Sequence, residues 1–136
     1  MQTLRFPARF DYLDEIREFV GNSARQNGFD GKDVYNIQLA ADEAASNIIE
    51  HAYKGKADGE IQISCGLEAE RFAVVLVDYG KSFNPSHAPL PNLSADLAKR
   101  RIGGLGIFLI YKLMDEVYYQ SNPDKSNTLT LVKRRA

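Results

Sequence analysis

The stretch Ile37-Gln38-Leu39-Ala40-Ala41-Asp42-Glu43-Ala44-Ala45-Ser46-Asn47-Ile48-Ile49-Glu50-His51-Ala52-Tyr53 decides the reading of this chain. Ile37, Ala40, Ala41, Ala44 and Ile48 fall at helical spacing, which predicts an amphipathic helix from about Asp33 to Tyr53, ended by Gly55. Glu43, Asn47 and His51 recur on it every four residues. A step of four turns about 400° and climbs about 6 Å, so the three side chains form one column. Alanines and isoleucines frame that column, which makes it either a satisfied helix surface or a site. As a site it has a definite chemistry. The Asn47 oxygen suits a hard cation such as Mg²⁺, which keeps several waters and binds through few protein ligands plus substrate phosphates. Glu43, one turn away, can accept a proton from a hydroxyl or water. A lone histidine near a helix end, such as His51, fits a capping or core role.

On the N-terminal side, Gln2 to Phe6 alternates weakly and stops at Pro7, as a short edge strand does. From Asp11, a plausible N-cap, Leu13, Ile16, Phe19, Val20 and Ala24 predict a helix closed by Gly28. On the C-terminal side, Glu60 to Leu67 alternates, and Phe72 to Asp78 is almost wholly apolar, as a central strand is. Glu68 to Arg71 joins them as a hairpin loop. Gly80 to Ile102, with Pro85, Pro89 and Pro91, predicts a long mobile segment with one helical turn near Ser94 to Arg100. A third helix follows the glycines at 103–106 and ends near Asp115. Val117 to Ser121 and Thr128 to Lys133 close the chain as a hairpin about Asn122-Pro123-Asp124. This order implies an α+β two-layer sandwich, a mostly antiparallel sheet with helices on one face.

The chain has 136 residues, with 17 Lys plus Arg against 18 Asp plus Glu and 44% hydrophobic residues. A chain this long buries roughly two-thirds of its unfolded surface, so residues 1–136 are expected to form a single domain. The near-average composition excludes a disordered tail or a fibre. A formal net charge of -1 argues against a nucleic-acid partner, which calls for a basic balance. Charge is uneven all the same: residues 1–50 carry 5 basic and 9 acidic side chains, residues 51–136 carry 12 and 9. Cys65 is the single cysteine, a structural thiol suited to a reducing cytosol. No apolar run approaches the roughly 20 residues of a membrane span, and the N-terminus lacks the apolar stretch of a secretory signal, so a cytoplasmic protein with no membrane partner is expected.

Two further clusters carry chemistry. Asp78-Tyr79-Gly80-Lys81-Ser82-Phe83 ends the apolar strand. A buried acid there needs a hydrogen-bond donor, which an adenine amino group could supply, and Gly80 lets a planar group approach; an ordinary strand-to-loop turn is the alternative. Gly103-Gly104-Leu105-Gly106 opens the third helix, where free backbone amides and the helix dipole make a phosphate cradle, or simply a hinge. Neither a P-loop nor a Rossmann glycine pattern is present, so any nucleotide site is of another type.

Taken together, an acid and an asparagine four residues apart on a helix, Asp78-x-Gly80-x-x-Phe83 after a strand, and a glycine-rich helix start resemble the Bergerat-type ATP-binding fold of the gyrase, Hsp90, histidine kinase and MutL (GHKL) superfamily. Within it, Glu43 to Tyr53 and Gly103 to Asp115 resemble the anti-sigma factor serine-protein kinases. The resemblance implies ATP and Mg²⁺ as cofactors. It makes Glu43 the general base for the serine hydroxyl of a protein substrate, Asn47 the Mg²⁺ ligand, and Asp78 the acceptor of the adenine amino group, with Gly80 giving the ring room and Phe83 completing the motif. Gly103, Gly104 and Gly106 would border the phosphates, Gly104 and Gly106 presenting amides to them. Thr128 would support the adenine pocket through its hydroxyl, and residues 84–102 would form the ATP lid.

One position departs from the pattern. Some relatives place an arginine immediately before the glycines, where this chain has Ile102, with Arg100 and Arg101 just upstream. A flexible lid could deliver either. The expected function is a kinase that phosphorylates an anti-sigma factor antagonist and switches between it and a sigma factor, acting as a homodimer. The alternatives are a nucleotide-dependent binding module that transfers no phosphate and, with no helix bearing a phosphorylatable histidine ahead of the domain, a histidine-kinase catalytic fragment.

Overall fold

A computed structural model describes residues 1–53, 59–81, 102–122 and 126–135. The elements are β1 (Gln2–Pro7), a 3-10 turn (Phe10–Tyr12), α1 (Leu13–Gln26), α2 (Gly31–Asn47), a π-helical turn (Ile48–Ala52), β2 (Glu60–Glu68), β3 (Arg71–Asp78), α3 (Ile102–Leu113), β4 (Glu116–Asn122) and β5 (Ser126–Arg134). The five strands form one antiparallel sheet in the order β1-β2-β3-β5-β4. This is the α+β architecture that the sequence predicts.

Alternation makes the sheet two-sided. Ile61, Ile63 and Cys65 of β2, Phe72, Val74 and Leu76 of β3, and Leu129 and Leu131 of β5 are all buried, and the register sets Ile63 beside Leu76 and Leu76 beside Leu129. Ile16 and Val20 of α1, Ile37 and Ala41 of α2, and Ile110 of α3 cover that face. Each large apolar side chain buried there contributes about 1.5–3 kcal/mol. Alanines at 40, 41, 44 and 45 are all buried, so α2 packs against α1 and α3 with little bulk between them. Cys65 lies inside this core, where burial pushes its thiol up to about 12, leaving an inert hydrophobe.

Local chemistry explains the turns. Gly28 closes α1 with φ +92°, a backbone region that favours glycine, and its amide bonds Arg25 O at 3.1 Å. The β2–β3 hairpin turns on Ala69 and Glu70, both at positive φ (52° and 63°), the mirror-image turn that matches strand twist. Asp11 does not cap α1: Tyr12 holds the N-cap position, and the Asp11 carboxylate pairs with Arg9 at 3.0 Å. The third helix starts at Ile102, so the glycines at 103, 104 and 106 lie within it rather than ahead of it. The helical turn expected at 94–100, most of the segment at 80–102 and residues 123–125 of the last turn lie outside the described residues.

The second helix also ends differently from the expected run to Tyr53. After Asn47 it widens into the π turn, with Tyr53 N–H donating to Ile48 O at 3.2 Å. A wider turn falls short of a full rotation in four residues, so the step from Asn47 to His51 differs from the α-helical step from Glu43 to Asn47. The turn delivers Ala52 O to the far end of β3, where Lys81 N–H donates to it at 2.8 Å.

Candidate functional site

Asp78 ends the core-facing series of β3, and only 4% of it is exposed. Its Oδ1 accepts two hydrogen bonds, from Gly80 N–H at 3.0 Å and from Asn127 Nδ2 at 2.9 Å. Burial pushes the carboxyl above its ordinary value, and those two donors act against the rise. Asn127, 3% exposed, also donates from Nδ2 to Gly80 O at 3.0 Å, while its Oδ1 accepts the Ser121 hydroxyl at 3.0 Å. A polar chain thus crosses three strands from β4 to the end of β3.

Sequence reading gave the supporting role on β5 to Thr128. The structure places Thr128 opposite Val77, on the sheet face away from Asp78, and sets Asn127 beside the carboxylate. The signal lay in β5 itself, since Leu129 and Leu131 define the core face and Asn127, not Thr128, shares their parity. Gly80 also has another reason to be glycine. A Cβ there would overlap the Ala52 carbonyl oxygen and lie 2.7 Å from its carbon, so the backbone at Gly80 closely approaches the π turn of this chain. Gly80→Ala is expected to cost about 1–3 kcal/mol through that overlap, read as a lowered denaturation midpoint; an unchanged midpoint would show that the π turn yields freely.

Tyr53, a second residue missed in the sequence, ties the two sides of the site together. Its hydroxyl donates to Glu60 O at 2.7 Å and accepts Tyr79 N–H at 2.8 Å, fixing the end of the π turn to β2 and to the residue after Asp78.

From the helix side comes Asn47, 6% exposed, whose Nδ2 has no hydrogen-bond partner among the described residues. An orphaned buried donor costs about 1–3 kcal/mol, a cost relieved when a ligand oxygen binds there. Asn47 and Asp78 line one cavity with Lys81 and Tyr119, walled by Ala44, Ile110 and Leu129. Its volume is about 20 Å³, room for about one water. Glu43 stands one turn before Asn47, half-buried. Burial first, and the charge of Asp42 second, push its carboxyl above the usual range. Asp42 is itself paired with Arg17 at 3.0 Å.

The donor set fits a magnesium nucleotide: the cavity is lined by a carboxylate and by a neutral amide that offers an oxygen to a hard cation and a hydrogen to a phosphate. At the start of α3, Gly103 and Gly104 belong to the first turn, whose amides have no intrahelical acceptor. Gly106 is fifth in the helix, past the first four amides, which have no intrahelical acceptor. Phe83, Arg100 and Arg101 lie outside the described residues.

A helix-covered antiparallel sheet with a buried aspartate ending a central strand, opposite an asparagine on the second helix, defines a nucleotide-binding domain of the histidine kinase-like class. Comparison with known proteins agrees. The family model of the histidine kinase-like ATPase domain matches residues 6–133. The chain is 34% identical over 123 residues to the serine-protein kinase RsbW of Listeria innocua, covering 86% of this chain and 78% of that one. Two solved structures share the fold. The SiaB-SiaC complex of Pseudomonas aeruginosa has a TM-score of 0.66 at 14% identity, covering 97% of this chain and 88% of the other. The RsbU and RsbW domains of a Mycobacterium tuberculosis protein give 0.65 at 18% identity, covering 98% of this chain and 32% of that longer one. The chain belongs to the histidine kinase-like ATPase family and, within it, to the family of RsbW-type serine-protein kinases.

Proposed function

We propose that this chain is a cytoplasmic, ATP-dependent serine-protein kinase and anti-sigma factor. It binds a sigma factor, phosphorylates a serine on that factor's antagonist, exchanges one partner for the other, and acts as a homodimer. The observation that carries the reading is one shared cavity onto which β3 brings a buried carboxylate held by two donors and α2 an amide whose donor has no partner among the described residues.

Asp78 Oδ2, which takes no hydrogen bond from the described residues, accepts from the adenine amino group. The Gly103 and Gly104 amides meet the phosphates at the positive end of α3, and the terminal phosphate falls to Arg100 or Arg101 from the segment before it. Asn47 would hold Mg²⁺ through its amide oxygen, and there the ion would supply neutralisation of phosphate charge. Glu43 takes the proton of the serine hydroxyl as its oxygen bonds to the γ-phosphorus and the bond to ADP breaks. Such a reaction asks chiefly for positioning and charge stabilisation, which these groups offer.

Ile102, the first residue of α3, stands where some relatives place an arginine, and it favours a second reading: a nucleotide-dependent regulator that binds its partner without transferring phosphate. Incubation of the purified chain with γ-labelled ATP, Mg²⁺ and a candidate antagonist separates the two. Label on an antagonist serine is the expected result. Capture of the antagonist only with nucleotide present, and no label on it, would replace the kinase by the regulator.

A further inference from the structure

We infer that Asn127 is a positioning residue for base selection: it fixes which oxygen of the Asp78 carboxylate meets the nucleobase, and so sets the preference for a 6-amino over a 6-oxo purine. The inference rests on the adenine role proposed for Asp78.

A side-chain amide has two donor hydrogens. Those of Asn127 go to Asp78 Oδ1 at 2.9 Å and Gly80 O at 3.0 Å. None remains for a ligand, so Asn127 acts on the base only through Asp78. The two acceptors flank Tyr79, and one amide fork therefore holds the carboxylate and the backbone after it as a unit. The fork is held in turn, because Asn127 Oδ1 accepts the Ser121 hydroxyl at 3.0 Å. With Gly80 N–H also on Oδ1, that oxygen is committed and Oδ2 is left to the ligand. At 3% and 4% exposure, Asn127 and Asp78 have little water to replace a lost bond.

A 6-amino group donates to a carboxylate oxygen, whereas a 6-oxo group sets two acceptors against each other. The discrimination needs an oxygen held in place. Without the amide fork the carboxylate keeps one donor, Gly80 N–H, and turns more freely, so the gain from a 6-amino group shrinks while a 6-oxo ligand loses nothing it had. General loosening of the fold would weaken both ligands alike.

The test is the affinity of the full chain for Mg-ADP and Mg-IDP, whose bases differ at the 6-position and in the hydrogen on N1, by equilibrium titration of wild type and Asn127→Leu. The wild type should prefer ADP. In Asn127→Leu, ADP affinity should fall by about tenfold and IDP affinity should hold, so that the preference collapses. Should Asn127→Leu not fold, Asn127→Ser, whose shorter side chain cannot span both acceptors, carries the same expectation. An ADP-to-IDP ratio kept at its wild-type value, or ADP and IDP weakened in parallel, would overturn the inference. A wild type that binds both nucleotides equally would instead remove the adenine role of Asp78 itself.

Discussion

Replacing Glu43 by glutamine should lower phosphotransfer to a protein serine by about 10²- to 10⁴-fold, the usual contribution of a positioned general base, and leave ATP affinity close to that of the wild type. The separation follows from geometry. Glu43 sits one helical turn before Asn47 and does not line the cavity shared by Asn47 and Asp78, so it can act on the incoming hydroxyl without holding the nucleotide. Its carboxyl is raised by burial and by Asp42, which makes it a stronger base once ionised. The sign of the pH dependence is then fixed. The base works only when deprotonated, so activity is lost as pH falls through a midpoint above the ordinary glutamate value, and the residual activity of Glu43→Gln should lack that acidic limb. Initial rates of label transfer across the acidic range read both effects. Full transfer by Glu43→Gln would remove the base from the mechanism.

Asp78→Asn should weaken nucleotide binding by about 10- to 100-fold, the range for a hydrogen bond to a charged group. The asparagine oxygen can still accept from Gly80 N–H and Asn127 Nδ2, which leaves its amide nitrogen facing the adenine amino group, donor against donor. The fold should not suffer. Because burial raises the Asp78 carboxyl, the folded state bears a cost for its charge that is absent at low pH, where the acid is protonated, and grows as pH rises through the raised value. A neutral asparagine avoids that cost, so the melting temperature at neutral pH should match or exceed that of the wild type. Unchanged ADP affinity in a folded Asp78→Asn protein would contradict the adenine assignment.

Element order, the antiparallel sheet and the second helix were legible because their periodicities are clean: Ile61, Ile63 and Cys65 alternate, and Ile37, Ala40, Ala41 and Ala44 keep helical spacing. The same patterns exposed Glu43, Asn47 and Asp78. What escaped depends on contacts distant in sequence. The π turn after Asn47 is held where Ala52 O meets Lys81 N–H, some thirty residues on, and no local pattern announces it. The reason for Gly80 is that same carbonyl. Tyr53 looks like an ordinary helix-end aromatic until Glu60 and Tyr79 are brought to its hydroxyl. Thr128 is a different kind of miss. The resemblance points to its hydroxyl, while the alternation with Leu129 and Leu131 turns it to the other face of the sheet.

Everything proposed for the site depends on Asp78 and Asn47 gripping the two ends of one magnesium-bound adenine nucleotide. Isothermal titration of Mg-ADP into the folded chain tests this most directly. The expected result is saturable binding with one nucleotide per chain, weakened in Asp78→Asn and in a variant of Asn47. A trace without saturable heat, from protein shown to be folded and repeated at a second temperature, would contradict the account.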